Sequence, residues 1–367
     1  MIVPPLFMSA LFALASATSS DAAARGVETM GRELRIMTIN VWSGLDYKGT
    51  LRMGEYETPE VRETRFEALV QEIKLLSPDV IGLNEANFLP DYVEKLAQTL
   101  DYDVIYHVGV SGLHVWRIGI PWNLREGDAI LARKNLGLEY IGRKQLSGGG
   151  FVWNNLSFHT ENATQVLVGK ITANDKDVYI AVTHWHSSPR NDEQNRDLLR
   201  RLKEAFGYSE EEYGGADSRL ERDNSWRMNE AKTMASYLKK VVPEGAPLVV
   251  LGDFNAELDW PEMQYFLAAG FYDTYSVVAN DEGYTWNVEE NENIRKFYQT
   301  DLGVRFDDLY EHLESHDRLQ SQRIDFVLAS ENIPKESVLE SKVCARTLHG
   351  GLHLSDHFGV FTVIRIP

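Results

Sequence analysis

The stretch from Leu248 to Glu257, which reads LVVLGDFNAE, constrains the fold more than any other part of the chain. Its four apolar residues are too few for a helix and are rich in β-branched valine, so they predict a buried strand. Asp253 and Asn255 follow Gly252 on one side of the strand, because strand side chains repeat every two residues. An uncompensated carboxylate at the end of a buried strand is costly. The pattern favours a functional site, with an ordinary turn as the simpler alternative.

Segments nearer the N-terminus follow the same plan. Residues 34–42 predict a strand that presents Asn40, and residues 62–76 have the spacing of a helix with one buried face. Residues 79–83 predict a second strand, which leads into Glu85. A strand, a helix and a strand, with polar residues where the strands end, form a pattern that is typical of a functional site.

Eight polar side chains lie at the ends of predicted apolar strands: Asn40, Glu85, His184, Asp253, Asn255, Asp325, Asp356 and His357. One such residue is usually structural, but eight are hard to explain in that way. Carboxylate and amide oxygens suit a hard cation such as Mg²⁺ or Mn²⁺. The two histidines can donate to a phosphoryl oxygen and titrate near neutrality. Together these groups predict metal-dependent attack of water on a phosphoester.

The motifs around these residues resemble the endonuclease/exonuclease/phosphatase superfamily. The matching motifs are Thr38-Ile-Asn40, Asn84-Glu85, Thr183-His184, Gly252-Asp-Phe-Asn255, Arg323-Ile-Asp325 and Ser355-Asp-His357. They occur in the family's order and span residues 34–366. The resemblance implies an α/β fold, a four-layer α/β/β/α sandwich of two packed mixed β-sheets. It also implies a single catalytic domain over residues 25–367, with insertions near 187–224 and 284–322.

The resemblance further implies a metal site. Glu85 would be the main ligand of Mg²⁺ (or Mn²⁺), supported by Asn40 and Asp356. These three residues offer only oxygen ligands, which both ions accept. The protein would then be a metal-dependent phosphoric ester hydrolase, either a phosphodiesterase or a phosphatase.

The remaining roles that the resemblance implies concern the attacking water and the phosphate. Asp253 would orient or deprotonate the water, and Asn255 would hold the phosphate and that water. His184 and His357 would stabilise the charge that develops on the phosphoryl oxygens. Asp325 would fix the tautomer and position of the His357 ring.

Several residues outside these motifs are candidate substrate contacts. His186 lies two residues beyond His184, in a His-x-His that is similar to the sphingomyelinase-like branch of the family, and a structural role is the alternative. The segment 109–127, predicted as a loop, contains Trp116, Arg117 and Trp122. Paired tryptophans and arginines suit an apolar body that bears one phosphate. Packing over a sheet edge would explain the same composition.

The net charge of −18 bears on the substrate. Proteins that bind nucleic acids usually have a basic footprint, so the charge favours a small or lipid-linked phosphoester. The alternatives are a secreted nuclease with the same chemistry and an inactive binding protein on the same fold. The protein is expected to be a monomer, and its single cysteine excludes an intrachain disulfide.

Residues 1–24 resemble a cleavable signal peptide. The segment is mostly apolar, ends in small residues and lacks a basic residue, and its apolar part is too short to span a membrane. Its removal would take away only Asp21 among the charged residues, which leaves −18 + 1 = −17. The expected location is therefore secreted or periplasmic, and a disordered extension is the alternative.

Overall fold

The structure is a computed structural model, and it describes residues 32–44, 57–116, 118–120, 125–158, 163–298 and 300–366. The predicted signal peptide and the side chains of Arg117 and Trp122 lie outside the described residues. Among the described helices, none combines the length and the apolar composition that a membrane span requires.

Sixteen strands are described. In chain order they are β1 Glu33–Asn40, β2 Val80–Ala86, β3 Tyr102–Val110, β4 Leu113–Val115, β5 Ile118–Ile120, β6 Glu126–Arg133, β7 Glu139–Gln145, β8 Phe151–Val152, β9 Leu156–Phe158, β10 Gln165–Ala173, β11 Lys176–His184, β12 Leu248–Asp253, β13 Phe271–Asp273, β14 Asp325–Ser330, β15 Val338–Cys344 and β16 Gly359–Arg365. The described α-helices are α1 Pro59–Leu76, α2 Asp91–Leu100, α3 Glu193–Phe206, α4 Glu210–Val241, α5 Pro261–Leu267, α6 Tyr275–Val278, α7 Glu292–Phe297 and α8 Leu309–Arg318.

Two six-stranded sheets form the centre of the fold. The first has the order β15-β16-β1-β2-β6-β3, and the second has the order β13-β14-β12-β11-β10-β7. Both are mixed, because β1 pairs parallel with β2 but antiparallel with β16, and β12 pairs parallel with β11 but antiparallel with β14. The sheets pack face to face over a buried apolar layer that includes Ile36, Ile130, Leu167, Val182, Leu251, Val327 and Ile364.

Helices cover the outer faces of both sheets. Helices α1 and α2 pack on the first sheet through Phe66, Leu69, Val93 and Leu96. Helices α4 and α5 pack on the second sheet through residues that include Met234, Leu238, Met263 and Phe266. The predicted four-layer α/β/β/α sandwich is therefore confirmed.

Helix α1 shows how local sequence sets an element boundary. The side chain of Thr58 accepts a hydrogen bond from the backbone N–H of Val61, and Pro59 occupies the first turn, where its missing N–H costs nothing. The helix ends at Ser77, which adopts a left-handed conformation with φ of 48° and donates its backbone N–H to Ile73 at 2.7 Å. The helix is three residues longer at its N-terminus than the predicted range of 62–76.

The two predicted insertions pack against each other. Helices α3 and α4 from the first and α8 from the second share a separate apolar cluster of Leu199, Leu202, Tyr208, Ala216, Leu220, Leu309, Tyr310 and Leu313. A buried hydrogen bond of 3.0 Å from the Tyr310 hydroxyl to Asp223 joins α8 to α4. Helix α4 continues for 32 residues, well beyond the predicted end of the first insertion at residue 224. We call this unit of α3, α4 and α8 the cap.

The segment 109–127 is not the plain loop that the sequence predicts. It contains β4 and β5, which join β8 and β9 in a third sheet with the order β5-β4-β9-β8. These strands have only two or three residues each, so their alternation is too short to be recognised in the sequence.

Gly252 is required by the geometry at the end of β12. Its φ is 140°, and a Cβ atom built there would lie 1.9 Å from the backbone oxygen of Thr183 in β11.

We expect Gly252→Ala to lower the free energy of unfolding by about 3 kcal/mol or more, measured by urea denaturation. The control is Gly214→Ala in α4, where no atom lies within 4 Å of the added Cβ. This control should raise the stability by about 0.5–1 kcal/mol. Equal stability of Gly252→Ala and the wild type would contradict the packing described here.

Candidate active site

The eight polar residues predicted from the strand ends meet at one edge of the two sheets. In the first sheet Asn40 pairs with Asn84 in register, and in the second sheet Asp253 pairs with both His184 and Asp325. Asp325 begins β14 rather than ending it. Because β14 runs antiparallel to β12, its first residue lies beside the last residue of β12. Asp356 and His357 likewise precede β16, which runs antiparallel to β1.

Asn40 connects carboxylates from both sheets. Its Nδ2 donates to Oε1 of Glu85 at 2.9 Å and to Oδ2 of Asp253 at 3.1 Å. Its Oδ1 accepts the backbone N–H of Trp42 at 2.9 Å, so the orientation of the amide is set by a backbone group. Asn40 is fully buried, and an amide with this pattern holds two acidic side chains close together without adding charge.

Glu85 is held in an unusual conformation. Its φ is 55°, and the pairing between β2 and β6 shifts register over the same residues. The backbone N–H of Ser43 donates to Oε2 of Glu85 at 3.1 Å. Burial alone would raise the pKa of the Glu85 carboxyl, but the charge of His184 and the hydrogen bond from Asn40 hold it below the ordinary value. Glu85 therefore presents an ionised carboxylate, the form that binds a cation.

Asn84 joins the two sheets directly beneath the site. Its Nδ2 donates to Oδ1 of Asp128 at 2.7 Å and to the backbone oxygen of Thr183 at 2.9 Å. Its Oδ1 accepts the backbone N–H of Asp253 at 3.0 Å. Gln165 extends the network, because its Nε2 donates to Oδ2 of Asp128 at 2.9 Å.

Sequence reasoning assigned no role to Asn84, Asp128 or Gln165. The signal for Asn84 was its place beside Glu85 in the recognised motif. Asp128 lies near the start of β6 and Gln165 begins β10, and only the structure shows that they share a buried network.

Asp325 orients the ring of His357. The Nδ1 atom of His357 lies 2.9 Å from Oδ2 of Asp325, and its Nε2 atom lies 3.8 Å from Oδ2 of Asp253. Burial lowers the pKa of the His357 imidazole, but the charges of Asp325 and Asp253 raise it well above the ordinary value. The His357 ring also packs edge-on against Trp286, with 5.0 Å between ring centroids. His357 is therefore a positioned, positively charged donor.

His184 approaches the same carboxylate from the other side. Its Nε2 atom lies 3.5 Å from Oδ2 of Asp253. Burial lowers the pKa of the His184 imidazole, but the charges of Asp253 and Glu85 raise it above the ordinary value. Burial and the charge of Asp325 raise the pKa of the Asp253 carboxyl to about 6. Asp253 is thus mostly ionised at neutral pH and remains able to accept a proton.

Asn255 and Asp356 complete the edge. The backbone N–H of Asn255 donates to Oδ1 of Asp253 at 2.9 Å, and its Nδ2 donates to the backbone oxygen of Trp185 at 2.9 Å. Asp356 accepts a hydrogen bond of 3.3 Å from the Tyr298 hydroxyl. Burial raises the pKa of the Asp356 carboxyl above its ordinary value.

Two sets of side chains could hold a divalent cation. Asp253, Asp325 and His357 each offer one atom, and these atoms lie within 4.8 Å of one another. A cation there would use the ring nitrogen or compete with the hydrogen bond of 2.9 Å between Asp325 and His357. The other set is Glu85, Asn40 and Asp356, in which Glu85 and Asp356 offer carboxylate oxygens and Asn40 holds Glu85 through its Nδ2 while its Oδ1 accepts the N–H of Trp42. Mg²⁺ prefers oxygen ligands, so the second set fits it better.

The site opens into a cleft of about 420 Å³. The cap forms the far wall, through residues that include Arg219, Glu314, Asp317 and Arg318. Glu126 lies beside Glu85, and burial together with the charge of Glu85 raises the pKa of the Glu126 carboxyl to about 8. Sequence reasoning missed Glu126 because nothing marked the start of β6 as different from other strands.

The predicted substrate contacts have different positions. His186 lines the cleft, with its ring centroid 5.2 Å from Trp226 and its Nε2 3.7 Å from Asp223 of α4. Strand β11 ends at His184, so strand alternation does not reach His186. Trp116 is 75% exposed and is not among the residues that line the cleft. Its contact with substrate stays a prediction, and Arg117 and Trp122 lie outside the described residues.

Comparisons with known proteins agree with this architecture. The sequence pattern of the Endonuclease/Exonuclease/phosphatase family matches residues 37–357. No curated protein matches the sequence. Among solved structures, TDP2 from D. rerio complexed with single-strand DNA product has a TM-score of 0.55 at 16% identity, and the match covers 91% of this chain and 99% of that chain.

Two further structures are similar to this chain. An endonuclease/exonuclease/phosphatase from Bacteroides vulgatus has a TM-score of 0.56 at 16% identity, over 92% of this chain and 100% of that one. The human Nocturnin catalytic domain with bound sulfate anion has a TM-score of 0.52 at 15% identity, over 90% of this chain and 93% of that one. At these identities the likeness concerns the fold.

The pair of Asp325 and His357 generates a test of coupling. We expect His357→Ala to lower kcat/KM for phosphoester hydrolysis about 100- to 1,000-fold, because the donor that the sequence predicts for the developing charge would be lost. Asp325→Asn should cause much of the same loss, since the ring is no longer held by a carboxylate. The double variant should be little worse than His357→Ala alone. Losses in the double variant that equal the sum of the two single losses in activation free energy would argue against the pairing.

Proposed function

The chain belongs to the endonuclease/exonuclease/phosphatase family, and we propose that it is a divalent-metal-dependent hydrolase of small or lipid-linked phosphoesters. The observation that carries this proposal is the hydrogen-bonded edge where Asn40, Glu85 and Asp253 meet. The family is generally hydrolytic and metal-dependent, and the site supplies an ionised carboxylate, a proton acceptor and two cationic donors in one cleft.

We propose that Glu85, Asn40 and Asp356 hold Mg²⁺ or Mn²⁺. The bound ion would polarise a phosphoryl oxygen and offset the charge that develops on it. Asn40 keeps the Glu85 carboxylate in place through the hydrogen bond of 2.9 Å. Asp356 accepts a hydrogen bond from the hydroxyl of Tyr298, the residue that follows α7. These hydrogen bonds would therefore orient the side chains before an ion binds.

In this proposal Asp253 accepts the proton of the attacking water. Its carboxyl, with a pKa of about 6, is an acceptor at neutral pH, and Asn40 and the backbone of Asn255 fix its two oxygens. His184 and His357 then donate to the phosphoryl oxygens as negative charge develops on them. Asn255 holds the phosphate or the water, although its own amide also donates to Trp185.

The charge of the cleft supports a small or lipid-linked substrate over a polyanion. Among the described residues that line the cleft, seven have a carboxyl group, namely Glu85, Glu126, Asp128, Asp253, Glu314, Asp317 and Asp356, and four can be cationic, namely Arg219, Arg318, His184 and His357. The Glu126 carboxyl, with a pKa of about 8, is mostly protonated at neutral pH, so the remaining carboxylates still outnumber the cations. Arg219 lies 3.6 Å from Asp223 and 4.1 Å from the centre of the Tyr310 ring. A long chain of phosphates would meet a net negative wall beyond the one phosphate that the ion neutralises.

A nuclease is the second candidate. It is favoured by the likeness to D. rerio TDP2, whose structure holds a single-strand DNA product.

We further propose that residues 25–367 form one catalytic domain, and that residues 1–24 direct the protein to a secreted or periplasmic location. An inactive binding protein is the weakest reading, since a scaffold gains nothing from clustered carboxylates that repel one another.

One prediction of the proposed function concerns Glu85. The substitution Glu85→Gln keeps the size of the side chain but removes the charge that binds a cation, so kcat/KM should fall about 100- to 1,000-fold. The concentration of Mg²⁺ needed for half-maximal activity should also rise. The control is Glu63→Gln, which alters an exposed carboxylate paired with Lys95 and should change neither quantity. Near-normal turnover of Glu85→Gln at an unchanged metal requirement would remove Glu85 from the metal site.

Another prediction of the proposed function concerns the substrate. With Mg²⁺ present, we expect hydrolysis of sphingomyelin, phosphatidylinositol or bis(p-nitrophenyl) phosphate to be faster than that of plasmid DNA or RNA. Duplex DNA should bind with a Kd of about 10⁻⁴ M or weaker at physiological salt. Efficient plasmid nicking at that salt, with no preference for lipid or small phosphoesters, would favour the nuclease function over the proposed one.

A further inference from the structure

The third sheet has an unusual distribution of apolar side chains. In its antiparallel pairs, Val115 lies opposite both Ile118 of β5 and Leu156 of β9. Residues directly opposite one another in antiparallel strands point to the same face. Phe158 pairs with Phe151 of β8 in the same way. Strand alternation adds Leu113, two residues before Val115, to this face.

This face is apolar and exposed to solvent. Its members are Leu113, Val115, Ile118, Phe151, Leu156 and Phe158, and we call them the docking face. Ile118 is 79% exposed, and Val115 and Phe158 are each more than half exposed. Among the described side chains of the four strands, none on this face is polar. Six adjacent apolar side chains in solvent form a patch of the kind that marks an interaction site.

The covered face of the same sheet carries the polar residues. His114, Val152 and Ser157 are fully buried there, and the Ser157 hydroxyl bonds to Ser111 and to the backbone oxygen of Gly112. An antiparallel sheet on a protein surface normally turns its polar face to water and its apolar face inward. The arrangement is reversed in this sheet, so packing among the residues that the structure describes does not account for the exposed face.

The docking face is close along the chain to residues that line the cleft. Strand β3 ends with Gly109 and Val110, which line the cleft, and β4 begins three residues later at Leu113. A second surface bound to the docking face would therefore lie near the cleft that contains Glu85 and Asp253. This position links the apolar face to the reaction rather than to a distant part of the molecule.

Charge distinguishes this region from the rest of the chain. The described residues 109–116, 118–120 and 146–158 contain no Asp or Glu, although the whole chain has a net charge of −18. A second copy of the chain would bring another −18 to the same surface, which disfavours self-association. A region without acidic groups is compatible with a surface that presents phosphates. Trp116 and Trp153, both exposed, flank the face, and tryptophan favours the boundary between lipid and water.

We propose that the docking face binds the surface of a phospholipid bilayer and so presents a lipid-linked phosphoester to the cleft. This inference rests on the proposed function, because it explains how a lipid-linked phosphoester reaches the same cleft. The six apolar side chains enter the boundary between headgroups and acyl chains. The enzyme, once bound to the membrane, admits the headgroup phosphate of a lipid into its cleft. The local substrate concentration is then set by the membrane surface.

The test measures co-sedimentation of the full chain with sucrose-loaded vesicles of phosphatidylcholine and of phosphatidylcholine mixed with phosphatidylglycerol. The variant carries Leu113→Ser, Val115→Thr, Leu156→Thr and Phe158→Thr. These replacements are small and polar, and the three threonines are β-branched and therefore suited to a strand. We expect the partition coefficient of this variant to fall about 100-fold. The control carries Leu339→Thr and Leu348→Ser, two exposed apolar residues elsewhere, and should bind like the wild type.

Further measurements separate folding and catalysis from docking. Thermal unfolding and hydrolysis of bis(p-nitrophenyl) phosphate should be the same in the variant and the wild type, whereas hydrolysis of vesicle phospholipid should fall with binding. If the fourfold variant does not fold, Ile118→Glu places one charge on the most exposed position of the face and should weaken vesicle binding in the same direction.

Two results would overturn the proposal. One is equal vesicle binding, or none, in the wild type and the variant. The other is a wild-type dimer in sedimentation equilibrium that the variant converts to a monomer, since the face would then bind a second copy. Vesicle binding without hydrolysis of any phosphoester would instead count against the proposed function and leave the docking face supported.

Discussion

The site depends on two buried amides that connect the sheets. Asn40 holds Glu85 of the first sheet and Asp253 of the second, and Asn84 binds Asp128 in the first sheet and the backbone of Asp253 in the second. Buried carboxylates are costly unless donors satisfy them, and neutral amides supply donors without changing the net charge. Loss of one such amide would leave several polar atoms unpaired, at about 1–3 kcal/mol each. The sandwich is therefore joined at the place where the acidic side chains meet.

The balance of charge at this edge explains why acids and histidines occur together. Asp253 has Asp325 as a neighbour of the same charge, and its pKa of about 6 still leaves it ionised at neutral pH because His184 and His357 lie within 4 Å. Asp253 raises the pKa of both imidazoles, together with Glu85 at His184 and with Asp325 at His357. The acids and the histidines thus maintain one another's charged forms. Burial would otherwise favour the neutral forms.

Much of this arrangement could be predicted from the sequence, because strand ends leave clear local signals. Four apolar residues followed by Gly252 and Asp253 predicted β12, and Thr58, Pro59 and the 3.6-residue spacing explain α1. The cap could be predicted only as two polar insertions, since its apolar core depends on contacts between α4 and α8 that are about 90 residues apart. The roles of Asn84 and Asp128, and the reversed faces of the third sheet, likewise depend on tertiary pairing. Local patterns carry no information about such contacts.

The location of the cation tests the account most directly. A crystal of the full chain grown with Mn²⁺ gives an anomalous difference peak at each ion. We expect a peak bound by a carboxylate oxygen of Glu85, with Asn40 and Asp356 beside it and with the hydrogen bond of 2.9 Å between Asp325 and His357 intact. A peak bound instead by Asp253, Asp325 and His357, with no ion at Glu85, would contradict the assignment of the metal site and of the roles built on it.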